Sequence, residues 1–124
     1  MPDLPADPAA RARQVLAGYP AQTVDAAVEF VTTRSPEALD RVVYGVIAFH
    51  LPNPELRSKD LSAMPGSTRL AADLSFDSLA VVEVNFLLSD LLGINLSDAE
   101  LQSLVTIDDL RLLLRKNLGL ETKL

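Results

Sequence analysis

Cysteine is absent from this chain of 124 residues. Disulfides, thiolate metal sites, iron–sulfur ligation, a cysteine nucleophile and a thioester on the protein's own side chains are therefore excluded together. Histidine occurs once, at His50, so a serine–histidine pair or a metal site would have to be assembled around that single ring. At the end of an apolar stretch and just before Pro52, it reads instead as a capping or half-buried residue. Long apolar runs are also missing. The longest uncharged stretch, residues 42–54, ends in two prolines and falls short of the roughly 20 residues that cross a bilayer. No membrane span is expected, and the stretch reads as a core helix. The opening Met1-Pro2-Asp3 lacks a basic start followed by an apolar run, so no secretory signal is expected and cytoplasm is the expected location. Lysine and arginine are absent from residues 70–110.

Apolar residues make up 48% of the chain and charged residues 23%, the balance of a globular protein with a buried core. The length allows one domain and a modest extension. A net charge of −6 argues against nucleic acid, whose phosphates need clustered Lys and Arg. Between residues 70 and 110 the acids Asp73, Asp77, Glu83, Asp90, Asp98, Glu100, Asp108 and Asp109 stand without a basic neighbour. Such a run either steers a basic partner or is a solvated acidic face.

Residues 1–34 read as an N-terminal extension with one or two short helices. Asp7-Pro8 supplies an N-cap and an N1 proline, and Gly18 with Pro20 stops the helix that follows. Thr23 is expected to cap a second helix on which Val24, Ala27, Val28 and Val31 recur at helical spacing. Ser35-Pro36-Glu37 begins the main domain, residues 35–119, with a cap, an N1 proline and a first-turn acid. Leu39, Val42, Val43, Val46 and His50 form the stripe of that helix, and Gly45 either weakens it or permits close helix contact. Residues 52–77, rich in Pro, Gly, Ser and Thr, are expected to form a long loop. A helix follows over 78–92 with Gly93 after it. Ser97-Asp98-Ala99-Glu100 has capping-box spacing for a short helix, and Thr106-Ile107-Asp108-Asp109 caps a last one ending near Gly119. Residues 120–124 are a tail. The expected fold is all-α, an antiparallel four-helix bundle with a short third helix plus the N-terminal extension.

Asp77-Ser78-Leu79 joins the long loop to the start of a helix. Free backbone N–H groups and the helix dipole favour an anion there, so a phosphodiester on Ser78 would be well placed. On local sequence alone, Ser78 or Asp77 also reads as a simple N-cap. The flanks add to this. Asp77-Ser78-Leu79, then Val82-Glu83, Leu92, Ile94, Leu96, Ser97-Asp98-Ala99-Glu100 and Thr106-Ile107-Asp108-Asp109-Leu110 together resemble the acyl carrier protein family over residues 74–118, with residues 35–51 as the family's first helix.

That resemblance implies a 4′-phosphopantetheine arm on Ser78, donated by coenzyme A through a phosphopantetheinyl transferase whose metal Asp77 helps to hold. It implies that Leu79 and Glu83 belong to the surface met by acyl-transferring and synthase enzymes. Val84 and Leu87 are expected on the same surface. The candidate lining for an acyl chain is Val43, Ile47, Val82, Phe86, Ile94, Leu104 and Leu110, where each buried methylene would contribute roughly 0.8 kcal/mol. In such a protein the thiol belongs to the cofactor, which fits a chain without cysteine, and catalysis happens elsewhere. No nucleophile with a base can be assembled, so an enzyme is not expected; nor is a metal site. The expected role is that of a monomeric carrier for fatty-acid, specialised lipid or polyketide synthesis. A peptidyl or aryl carrier and an unmodified interaction module are the alternatives.

Two departures from the family stand out. Ser75 occupies a position where the family usually has glycine, which would permit a left-handed turn. The 78–92 helix is apolar nearly all round, through Val81, Val84, Leu87, Leu88 and Leu91, instead of strongly acidic. Such a helix wants cover on more than one face, from a hydrophobic partner, the slightly favoured reading, or from the N-terminal extension.

Overall fold

The computed structural model of the chain describes residues 7–51 and 64–120. The first part of the expected loop, residues 52–63, lies outside the described residues, as do residues 1–6 and 121–124. Seven helices are present among the described residues: α1 Pro8–Val15, α2 Ala21–Thr33, α3 Pro36–Phe49, α4 Leu70–Leu74, α5 Ser78–Leu92, α6 Asp98–Gln102 and α7 Ile107–Asn117. The chain is mostly helical, with no strand among these residues, and one isolated bridge between Arg69 and Thr106.

Most helix starts follow from one side chain each. Asp7 accepts from the Ala10 N–H at 3.0 Å, and Ser35 from the Ala38 N–H at 3.3 Å. Ser97 with Glu100, and Thr106 with Asp109, form complete capping boxes. Each such cap satisfies an N–H that the helix itself cannot reach. Thr23 does not behave this way. α2 begins at Ala21 behind Pro20, and Thr23 lies inside it, 4% exposed. Its buried side consists of Thr23, Ala26, Ala27 and Phe30, with Val24, Val28 and Val31 only half-buried. Phe30, the largest apolar side chain available, takes the inward position and sets the rotation of the helix.

α3 is the centre of the core, burying Leu39, Val42, Val43, Val46 and Ile47, each of which contributes about 1.5–3 kcal/mol when fully removed from water. α2 packs along it, and the contact is close because position 45 is glycine. A Cβ there would lie 3.0 Å from Thr23 Cβ and overlap its Oγ1. On another side α3 meets α7, where Asp40 accepts from Arg115 Nη2 at 2.7 Å and Arg111 Nη2 at 3.3 Å. α1 packs on α2 and on α5, so the extension covers part of α5. This corrects the preference for partner contact over that part of the helix.

α4 interrupts the expected loop. Leu70 and Leu74, one turn apart, are both buried, and the Asp73 carboxylate accepts from the Arg69 N–H at 2.7 Å. Residues 66–70 are stitched to the entry of α7: Leu70 N–H donates to Val105 O at 2.8 Å, Ile107 N–H to Thr68 O and Asp108 N–H to Gly66 O, both at 3.0 Å. The segment leading into α5 is thereby held against the body of the protein.

Candidate functional site

The approach to Ser78 is built in three steps. α4 ends at Ser75, whose φ of 56° and ψ of 31° lie in the left-handed region, so the chain reverses there although the residue is not glycine. Phe76 is then buried, 2% exposed, and its N–H donates to Leu70 O at 2.8 Å. Anchored by that ring, the chain turns outward at Asp77. Asp77 is the N-cap of α5, and its carboxylate accepts from the Ala80 N–H at 2.9 Å. Ser78 follows as the first residue of a 15-residue helix. It is exposed, and its hydroxyl has no hydrogen bond among the described residues. The two simple-cap readings thus separate: Asp77 caps the helix and the Ser78 hydroxyl does not.

The rotation of α5 settles where its apolar side chains go. Val84, Leu88 and Leu91 face inward, and two residues along a helix turn it by about 200°. Val82 and Phe86, two residues either side of Val84, are therefore on the outside, 41% and 66% exposed. Neither belongs to the lining of the apolar cavity found among the described residues, which departs from the expectation that they line an acyl chain. Val84, expected on the partner surface, is 3% exposed and belongs to the core, and Leu87 is half-buried. Leu79, 64% exposed, and Glu83 do lie on the outer side. The outer stripe of α5 thus runs from Leu79 through Val82 and Glu83 to Phe86, beginning next to Ser78.

The remaining candidates for an acyl lining lie inside. Val43, Ile47, Ile94 and Leu110 are buried and Leu104 is half-buried. Leu104 and Leu110, with Leu70, Phe76, Val84 and Leu88, line a wholly apolar cavity of about 10 Å3, roughly the room of a single water. Val43, Ile47 and Ile94 do not reach it.

Comparison of the chain with protein-family models, curated proteins and solved structures gives no match. No cluster of three or more His, Asp or Glu suited to a metal occurs among the described residues, and no helix there is long and apolar enough to cross a membrane.

Tyr19 is the residue that sequence reasoning missed. Its hydroxyl is 2.7 Å from His50 Nε2, and His50 Nδ1 is 3.4 Å from Glu83 Oε2. His50 is the C-cap of α3 and is half-buried, so both features expected of it are present. Burial raises the Tyr19 phenol above its ordinary value, and the Glu83 charge adds to the effect. No spacing rule links these positions, since the file of three forms only once α3, α5 and the α1–α2 corner have packed.

Proposed function

We propose that the protein is a carrier that holds acyl groups as thioesters on a 4′-phosphopantetheine arm attached to Ser78. The observation that carries this reading is the free, exposed Ser78 hydroxyl at the start of α5 beside an Asp77 that already performs the capping. A serine needed for the helix would have its oxygen engaged. A phosphodiester at that oxygen suits the positive end of a 15-residue helix, where unpaired N–H groups and the dipole favour an anion. When bound, the arm would supply the thiol that this chain lacks. The chain's own residues would present the attachment point, with Ser75 and Phe76 aiming it and Asp77 beside it for the transferase's metal.

The left-handed Ser75 also supports the reading, because the turn that the family obtains with glycine is made here by serine. On this reading α3, α5, α6 and α7 form the antiparallel bundle of a cytoplasmic, monomeric carrier serving fatty-acid, specialised lipid or polyketide synthesis. Partner enzymes would meet Leu79 and Glu83. A peptidyl or aryl carrier is the second reading, favoured by the exposed apolar Leu79, Val82 and Phe86 where an acidic face would otherwise be expected.

Incubation with coenzyme A and a broad-specificity phosphopantetheinyl transferase, followed by intact-mass measurement, tests the attachment. The expected result is the gain of one phosphopantetheinyl group, lost in Ser78→Ala. An unchanged mass, or a gain that survives the substitution, leaves an unmodified helical interaction module instead. The acyl or aminoacyl group found on protein taken from its native cell then separates the two carrier readings.

A further inference from the structure

Three helical segments meet at Tyr19, His50 and Glu83. Tyr19 belongs to the corner between α1 and α2, His50 closes α3, and Glu83 lies on the outer side of α5. The hydroxyl–imidazole contact of 2.7 Å and the imidazole–carboxylate contact of 3.4 Å form one file. Phe49 stacks on Tyr19 with ring centroids 3.9 Å apart and holds the phenol over the end of α3. This file ties the foot of the extension to α5.

The two helices of the extension are held very differently. α2 buries Thr23, Ala26, Ala27 and Phe30 and fits Thr23 against Gly45. α1 is eight residues long and within it only Ala12 is buried, with Leu16 just beyond. A helix of that length does not persist in water by itself, so α1 stands only while docked on α2 and α5. Gly18, between the two helices, has a φ of 92°, and a Cβ built there would meet nothing within 4 Å. Glycine tolerates many backbone conformations, so the link between α1 and α2 is the natural place for a change of direction.

We propose that α1 is a displaceable strap across α5, fastened at its foot by the Tyr19–His50–Glu83 file, and that α2 stays with the core when the strap opens. Opening uncovers more of a helix whose other exposed side is already apolar. The fastening also responds to events on that side. The Glu83 side chain is 51% exposed and stands between Val82 and Phe86, so a cationic group arriving there competes with His50 for the carboxylate. Linkage makes this reciprocal: whatever draws Glu83 away loosens the strap, and a loosened strap leaves Glu83 freer to bind.

Hydrogen exchange on the full, unmodified chain under native conditions decides the matter, whatever becomes of Ser78. The amides of α1 are expected to exchange at least about tenfold faster than those of α3 near Leu39 and Val46, through an opening that leaves α2 protected. Tyr19→Phe, which keeps the ring and its stacking, is expected to speed α1 exchange by a further factor of about three to ten with α3 unchanged, the range set by one lost hydrogen bond. His50→Gln should act in the same direction. Exchange of α1 only at the rate of α3, or an α1 rate untouched by Tyr19→Phe, overturns the proposal.

Discussion

Two residues other than glycine adopt a positive φ among the described residues, Arg34 at 61° and Ser75 at 56°, and the same backbone geometry has opposite consequences for them. A side chain in this region costs about 1–2 kcal/mol. Arg34 has contacts that offset the cost: its guanidinium donates to Leu118 O at 2.9 Å and lies 5.2 Å from the centre of the Phe30 ring. It thereby ties the end of α2 to the residue after α7. Ser75 is exposed, and no hydrogen bond engages its hydroxyl among the described residues. In Ser75→Gly the relief of strain outweighs the extra unfolded-state entropy of glycine, about 0.4–1 kcal/mol. The variant should be about 0.5–1 kcal/mol more stable, read as a higher urea midpoint at unchanged slope. Arg34→Gly should move the midpoint down. A Ser75→Gly midpoint equal to or below that of the parent would show that the serine is held by something other than its backbone.

At the scale of helices, the α2–α3 contact depends on one missing methyl group. Replacing an interior glycine by alanine ordinarily favours a helix by about 1 kcal/mol, yet a Cβ at position 45 would overlap Thr23 Oγ1, and overpacking costs about 1–3 kcal/mol. Gly45→Ala is therefore expected to destabilise by roughly 1 kcal/mol. Thr23→Ala removes the overlapping hydroxyl, so the double variant should be less destabilised than the two single losses added together. Additive losses in that double-mutant cycle would place the strain elsewhere. The contrast between what the sequence disclosed and what it concealed is of the same kind. The caps at Asp7, Ser35, Ser97 and Thr106 could be read directly, because a cap involves a side chain and an N–H three residues on. The rotation of α5 could not be read. Its apolar side chains occupy nearly the whole circumference, so periodicity left open which of Val82, Val84 and Phe86 face inward, and tertiary packing made the choice. α4 was hidden for a related reason. It is five residues long, too short for a periodic signal, and its Leu70–Leu74 pair acquires meaning only against the entry of α7. At the candidate site the local part was legible, Asp77 and Ser78, while the file through Tyr19 and His50 was not.

For the molecule as a whole, its acids set how stability varies with pH. Several carboxylates at helix starts are held below their ordinary values chiefly because they accept backbone N–H bonds: Asp73 from Arg69, Glu100 from Ser97, and Asp109 from Thr106 and Val105. Each such acid releases its proton more readily in the folded chain than in the unfolded one. In acid the unfolded chain therefore binds more protons, and stability falls as pH falls. The contribution of these groups is fully present above the ordinary carboxylate values, near about pH 4, and is lost as pH drops through the lowered folded values. Tyr19 acts at the other end, because its phenol is raised mainly by burial. Its contribution is present below about pH 10 and is lost as pH rises through the raised value. Unfolding free energy should therefore hold a plateau between these limits, with an acid limb carried by the caps and an alkaline limb to which Tyr19 contributes. Glu100→Gln combined with Asp109→Asn keeps an accepting oxygen at each cap but removes the titrating group. Urea unfolding of that variant between about pH 2 and 5 should give a shallower acid limb than the parent chain. An unchanged limb would mean that acid unfolding is driven by general charge repulsion and not by the helix caps.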